Sequence, residues 1–249
     1  MTEDVRLLAV GLCAAGLSAA LTLYVRAALR GRRLRRRQAF FGLPPNSESM
    51  LVVSREAGGP DLTVTRHDVY ALMELAALVK DCGAHAQLVA HDAAQQGFGE
   101  RTEFCVGNPA VNRRMAAHMH AMLPGVRVNT DPEPGPDRGA FQIGAERYRM
   151  EPGRTEYVAL ARLTAGQEGR PVFLFCGQRA ITSQAAARYL GRHHERLARK
   201  HGGGSFVLLL KVVNSQAYGP DVVELVADVT RAAQEPIPAP APRNSHRAK

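Results

Sequence analysis

Hydrophobic positions along this chain change their period several times, and each change marks an element. Residues 7–25, LLAVGLCAAGLSAALTLYV, run for nineteen positions without a charge. From residue 50 onward, short apolar runs alternate with stretches spaced as a helix. MLVVS (50–54) is brief and β-branched, which predicts a strand. Thr65 then precedes RHDVYALMELAALVKDCG, where Val69, Leu72, Met73, Leu75, Ala76 and Val79 recur at helical spacing. Asp68, three positions after Thr65, gives the start of a capping box, and Gly83 ends the helix. AQLVAHD (86–92) and TEFCVG (102–107) are the next strands. NRRMAAHMHAML (112–123) is a helix stopped by Pro124-Gly125, and VRVNT (126–130) is a short strand.

The Pro- and Gly-rich stretch DPEPGPDRG (131–139) is a loop, and AFQIGAERYRM after it reads as a hairpin turning near Gly144-Ala145. TEYVALARLT (155–164) alternates as a strand, and RPVFLFCG (170–177) is nearly all apolar, as a strand buried on both faces should be. A long helix follows, capped near Thr182 or Ser183 and ended by the glycines at 202–204. SFVLLLKVV (205–213) and DVVELVADVT (221–230) are two closing strands. The remainder, 232–249, has Pro at alternate positions and reads as an extended, disordered tail. Strands alternating with helices predict an α/β domain over 50–231: a doubly wound, mostly parallel Rossmann-like sheet with an antiparallel addition. Residues 26–49 read as an Arg-rich linker leading into it.

The apolar run at 7–25 is long enough to cross a bilayer core as one helix. The rival reading is a cleaved signal peptide, for which Ser18-Ala19-Ala20 offers small residues. Charge decides between them, because the residues before the run, MTEDVR, are acidic overall and the positive charge lies after it. Arg26, Arg30, Arg32, Arg33, Arg35, Arg36 and Arg37 crowd into twelve positions. By the positive-inside rule that side stays in the cytoplasm. Residues 1–6 are then a short extracytoplasmic N-terminus, the domain is cytoplasmic, and the arginines sit on anionic headgroups of the cell membrane. Gly11, Ala15 and Ala19 recur at four-residue spacing, which would let two such helices approach, although small residues are common throughout the chain.

The same distribution of charge removes a class of function. The chain carries a formal +9, but residues 38–242 are neutral once the arginine run and the basic C-terminus are set aside. A specific nucleic-acid partner is therefore not expected. The four cysteines (Cys13, Cys82, Cys105, Cys176) have no close pairing, so neither a disulfide framework nor a zinc site follows, and no metal is expected. His118 and His120 diverge on a helix, as do His193 and His194, and all four read as surface groups. Glu103 and Glu156 fall at strand starts, the wrong end for a site, and no HExxH or GxSxG motif is present. No catalytic set is recognisable.

Candidate binding chemistry gathers instead at two strand-to-helix loops. Ligands of open α/β sheets collect at the carboxyl ends of strands, where helix N-termini favour anions. GNPAVN (107–112) and GQRAITS (177–183) have that placement. In the first, Gly107, Asn108, Pro109, Asn112 and Arg113 are candidates; in the second, Gly177, Gln178, Arg179, Thr182 and Ser183. Asp92, at the end of its strand, could bind ribose hydroxyls. Gly58-Gly59-Pro60 in the first connection could line the same edge. Neither loop matches GxGxxG or GxxxxGK[ST], so a standard dinucleotide or P-loop site is disfavoured.

At TRHDVYALMEL, FCVGNPAVNRR and GRTEYVALARLTAGQEGRPVFLFCGQRAITSQAAARYL, the chain resembles a loosely defined group of bacterial, especially actinobacterial, proteins of unknown function. They pair a G-x-P-x-x-N loop with a later Gly-containing loop and an A-A-A-R-Y-L helix, sometimes beside a membrane span. The resemblance covers most of residues 50–230 and implies a Rossmann-like domain suspected of sensing a nucleotide or similar metabolite, with no established activity. It carries Gly107, Pro109, Asn112 and Gly177 over as site positions; the second glycine of the group's loop is Asn108 here. The expected function is thus a single-pass membrane protein whose cytoplasmic domain binds a small phosphorylated or nucleotide-like ligand. Two alternatives are a nucleotide-processing enzyme, which needs a carboxylate near the two loops, and a scaffold recruiting a protein partner or a second copy.

Overall fold

The computed structural model describes residues 2–54, 63–93, 97–131, 133–164, 166 and 169–237, without the side chains of residues 2, 4–6 and 9–15. The chain opens with one uninterrupted helix, α1 (Thr2–Phe41), followed by β1 (Glu48–Val53), α2 (Arg66–Asp81), β2 (His85–Ala90), β3 (Thr102–Gly107) and α3 (Arg113–Met122). Then come β4 (Val126–Val128), β5 (Phe141–Ile143), β6 (Glu146–Tyr148), β7 (Thr155–Leu163), β8 (Val172–Gly177) and α4 (Ala180–His201). β9 (Phe206–Val213), α5 (Ser215–Tyr218), β10 (Val223–Asp228) and α6 (Thr230–Gln234) complete it.

Seven strands form one sheet in the order β10-β9-β7-β8-β3-β1-β2, and β4-β5-β6 form a small second sheet. β2, β1, β3 and β8 pair in parallel, while β7 pairs antiparallel with both β8 and β9, and β10 antiparallel with β9. Five of the seven strands therefore share one direction. The chain is an α/β protein with a mostly parallel mixed sheet, consistent with a Rossmann-like layout.

The two-residue period of the strands sorts their apolar side chains onto two faces. Leu51, Val53, Phe104, Val106, Leu160, Phe173, Phe175 and Leu208 meet α2 and α4 on one face. Met50, Val52, Cys105, Ala159, Ala161, Leu174 and Leu209 meet α3, α6 and the small sheet on the other. β3 and β8 are buried at every position, as central strands covered on both sides must be. α2 starts as its sequence announces, with Thr65 accepting from the Asp68 N–H.

Four expectations are corrected. Residues 26–41 are not linker: they continue α1, whose last turn enters the core with Phe40 and Phe41 buried, and Leu43 beyond it is also buried. The arginine run masks a helix here, because the apolar positions that anchor it come only at its end. α4 begins at Ala180 with Arg179 as its N-cap, and the Thr182 hydroxyl donates back to the Arg179 carbonyl at 2.8 Å. The tail starts later than residue 232, since α6 buries Ala233; residues 238–249 lie outside the described residues. Finally, His118 is buried, not at the surface.

Among the described residues no helix is long and apolar enough to cross a membrane. Side chains 9–15, in the expected span 7–25, lie outside the described set.

Candidate functional site

The two loops named from the sequence do come together. β3 and β8 are neighbours, with Gly107 opposite Cys176 in parallel register, so GNPAVN and GQRAITS leave the same sheet edge side by side. The Asn108 amide donates to the Gly177 carbonyl at 3.3 Å and joins them. Most of their polar atoms are turned inward to hold the turns. Asn112 caps α3 by accepting from the Met115 N–H at 2.9 Å, while its amide donates to the Val106 carbonyl. Ser183 donates to the Phe175 carbonyl, and Gln178 bridges the Tyr157 N–H and the Tyr148 carbonyl. The Arg113 N–H is received by His91 Nδ1 at 3.3 Å. Pro109 and Arg113 lie at the rim; β2 stops at Ala90, so Asp92 sits within the turn that follows and not at the end of a strand, as its sequence suggested. Gly58-Gly59-Pro60 lie outside the described residues.

Both glycines are demanded by packing. A β-carbon on Gly177 would stand 2.5 Å from Thr182 Oγ1 and 2.6 Å from Ser183 Oγ. Gly107 has φ +123 and its missing side chain is replaced by Ser54, whose Oγ lies 2.1 Å from where a β-carbon would be. That hydroxyl is itself fixed by donating to the Val106 carbonyl at 3.0 Å. Replacing Gly107 with alanine is expected to destabilise the chain by about 2–3 kcal/mol, combining backbone strain with overlap. Chemical denaturation measures it, and Ser54→Gly in the same chain should recover the overlap part only.

The sequence missed one member of this edge. Because β7 runs against β8, with Val158 opposite Gly177, its first residues sit at the carboxyl ends of the parallel strands. Glu156 is therefore beside the second loop, not at the far end. Fully buried, it accepts from Arg179 Nη1 at 2.6 Å and from the Gly153 N–H at 2.9 Å. Its second oxygen has no partner among the described residues. The alternation of β7 carries no sign of this, because its direction is set by pairing against β8 and β9.

Glu103 does lie at the amino edge, as expected, but in a buried network. Arg114 grips it through Nε at 3.0 Å and Nη2 at 2.5 Å, and His118 Nε2 donates to it at 2.9 Å. Burial alone would raise this carboxyl's pKa; hydrogen bonds from His118 and Arg114 outweigh that and hold it below its usual range. Glu103, Cys105 and His118 bring donor atoms within 4.8 Å of one another. The Arg114 guanidinium already occupies the carboxylate, and burial pushes the Cys105 thiol well up, so the cluster reads as an ion-pair lock between α3 and the sheet.

Two open spaces lie around the amino edge, where α1 joins the body. One cavity of about 880 Å³ is lined by Arg35, Gln38, Arg162, Thr164 and Arg170, with glycines and prolines forming much of the rest. A second, of about 750 Å³, lies between α1 and α4 and carries Arg33, Arg36, Arg37 and Arg199. Four of the seven arginines assigned to a membrane surface, Arg33, Arg35, Arg36 and Arg37, thus line clefts of the body. Arg26, Arg30 and Arg32 precede them on exposed turns of α1. No family model, curated protein or solved structure matches this chain.

Proposed function

We propose that this chain is a single-pass membrane-anchored regulatory module, with residues 1–6 outside and the α/β body held against the cytoplasmic face, where it binds a phosphorylated ligand such as a nucleotide. The supporting observation is α1 itself. Leu7, Leu8, Leu17, Leu21 and Leu23 are each 63–73% exposed. At about 100° per residue these five surround the whole helix axis, a sleeve suited to lipid and not to water. The same helix continues through the arginines and ends inside the core at Phe40 and Phe41. A body attached in this way follows the anchor directly, with no loose tether between them, so a ligand event in the body alters what the membrane-proximal surface presents. Binding is favoured over turnover because Glu156, the carboxylate at the two loops, is bonded to Arg179 and to the Gly153 N–H.

Fractionation tests the reading. The full chain should sediment with membranes, resist alkaline carbonate washing and be released by detergent, whereas deletion of residues 2–25 should move it to the soluble fraction. A C-terminal reporter should be active only in the cytoplasm. A full-length chain recovered without detergent, or a C-terminus labelled from outside, overturns it.

A further inference from the structure

Arg162 is the most deeply buried guanidinium described, 3% exposed on the α2/α4 face of β7. Part of its role is plain. Nε donates to the Phe40 carbonyl at 3.1 Å, and Nη1 donates to the Gly203 carbonyl and, at 2.8 Å, to that of Gly204. It thereby ties the end of α1 to the turn after α4, where carbonyls at helix C-termini favour a cation. The Phe40 and Phe173 rings stand 5.5 and 6.0 Å from its central carbon.

That clamp uses Nε and Nη1. Nη2 makes no hydrogen bond among the described residues, and the side chain lines the cavity of about 880 Å³ at the amino edge. No carboxylate among the described residues lines that cavity. Among the described residues its polar side chains are Arg35, Gln38, Arg162, Thr164 and Arg170. The Gln38 amide is engaged by the Cys82 carbonyl and the Thr164 hydroxyl by Ser205. Among these described side chains, the three guanidinium groups keep donor hydrogens for a ligand. A clamp alone needs one arginine, whereas this cavity carries two more. Burial pushes Arg162 down to about 10, a cost that a bound anion would relieve. On the wall, a β-carbon added to Gly166 or Gly203 would meet nothing within 4 Å, so both glycines leave the space open.

We infer that this cavity is a phosphate-binding site, taking the phosphoryl group of a lipid headgroup or of a soluble phosphate ester onto Arg162, Arg35 and Arg170. Planar guanidinium forks match phosphate oxygens in pairs. Its position, about ten residues or 15 Å along α1 from the end of the apolar run, places it at the membrane-proximal side of the body. The site deepens the phosphorylated-ligand reading above and moves it from the carboxyl edge to the opposite one; the soluble-ester arm does not depend on the membrane anchor.

The test uses the full chain purified in detergent, titrated with inorganic pyrophosphate against sodium chloride of equal ionic strength, and the same chain in phosphatidylglycerol or phosphatidylcholine nanodiscs. Pyrophosphate should raise the melting temperature where chloride does not. Arg35→Gln with Arg170→Gln, both outside the core, should weaken apparent affinity at least about tenfold. Arg162→Lys, which keeps the charge and loses the fork, should do the same if it folds. If phosphatidylglycerol raises the melting temperature and abolishes the pyrophosphate response, the headgroup is the natural source; a response equal in both lipids assigns the soluble ester. No specific response in either arm, or one unchanged in Arg35→Gln/Arg170→Gln, overturns the site. Carbonate-resistant sedimentation of that double variant leaves the membrane-anchor reading intact whichever way the phosphate result falls.

Discussion

Replacing Phe41 with alanine is expected to lower the unfolding free energy by about 3–5 kcal/mol, the range for deleting a buried aromatic ring. Phe41 has no exposed surface. Its ring lies 4.9 Å from Phe40, 5.5 Å from Phe173, 5.6 Å from His194 and 6.4 Å from Phe104, so it joins the end of α1 to β3, β8 and α4 together. The Thr102 hydroxyl meets the carbonyls of Phe41 and Gly42 at 3.0 and 2.7 Å and keeps that end from relaxing into the hole. A cavity that cannot collapse is the expensive kind. Urea denaturation of the chain measures the loss, with Leu21→Ala as the control, since Leu21 is 63% exposed and touches no core. A loss below about 1 kcal/mol would mean that α1 is an appendage of the body and not part of it. The distinction matters for the proposed anchoring, because only a helix built into the core passes a shift of the body along α1.

Most elements were readable from periodicity because local pattern and burial agree in them. The helix Arg66–Asp81, the hairpin turning at Gly144-Ala145 and the fully apolar strand at β8 each carry a signal that needs no partner to interpret. The failures share a cause of the opposite kind. Residues 26–39 have few apolar positions of their own, so the seven arginines spoke louder than Phe40 and Phe41, whose burial depends on β8, β9 and α4 far along the chain. The direction of β7 is likewise a property of its neighbours. With it went the placement of Glu156, which reads as remote from the loops along the chain and stands beside Arg179 in the fold. The same strand carries Glu156 and Arg162 on one face, a buried acid toward the carboxyl edge and a buried base toward the amino edge, six residues and about 20 Å apart. Sequence sees two charges in an alternating strand; only the layers around it show that neither faces solvent. The two glycine loops do follow β3 and β8, and what their sequence could not show is that Ser54, just past the end of β1, fills the space Gly107 leaves.

Glu103→Gln is expected to cost about 3 kcal/mol at neutral pH and to alter how stability responds to acid. The carboxylate is wholly buried, and Arg114 facing it is 16% exposed, so Glu103→Gln takes away the anion that this guanidinium grips where little water can replace it. His118 loses its acceptor in the same step, although a glutamine oxygen can replace part of that bond. The pH argument follows from the direction of the shift. Glu103 is held below its ordinary value of 4.5, with burial opposing and the bonds from His118 and Arg114 prevailing. A depressed carboxyl binds its proton less readily folded than unfolded, so its contribution is present above about pH 4.5 and is lost as pH falls through the lower folded value. The natural chain should therefore lose stability steeply on acidification below pH 4.5, and Glu103→Gln should be flatter across that window, the two denaturation curves converging toward the acid end. The exposed Asp137, gripped by Arg147 and Arg149, is shifted the same way by its hydrogen bond to Arg149, yet solvent screens it; Asp137→Asn should leave the neutral-pH stability nearly unchanged. Parallel curves for Glu103→Gln and the natural chain below pH 4.5 would show that the network is not what fastens α3 to the sheet, and that the cluster of Glu103, Cys105 and His118 has another use for its buried charge.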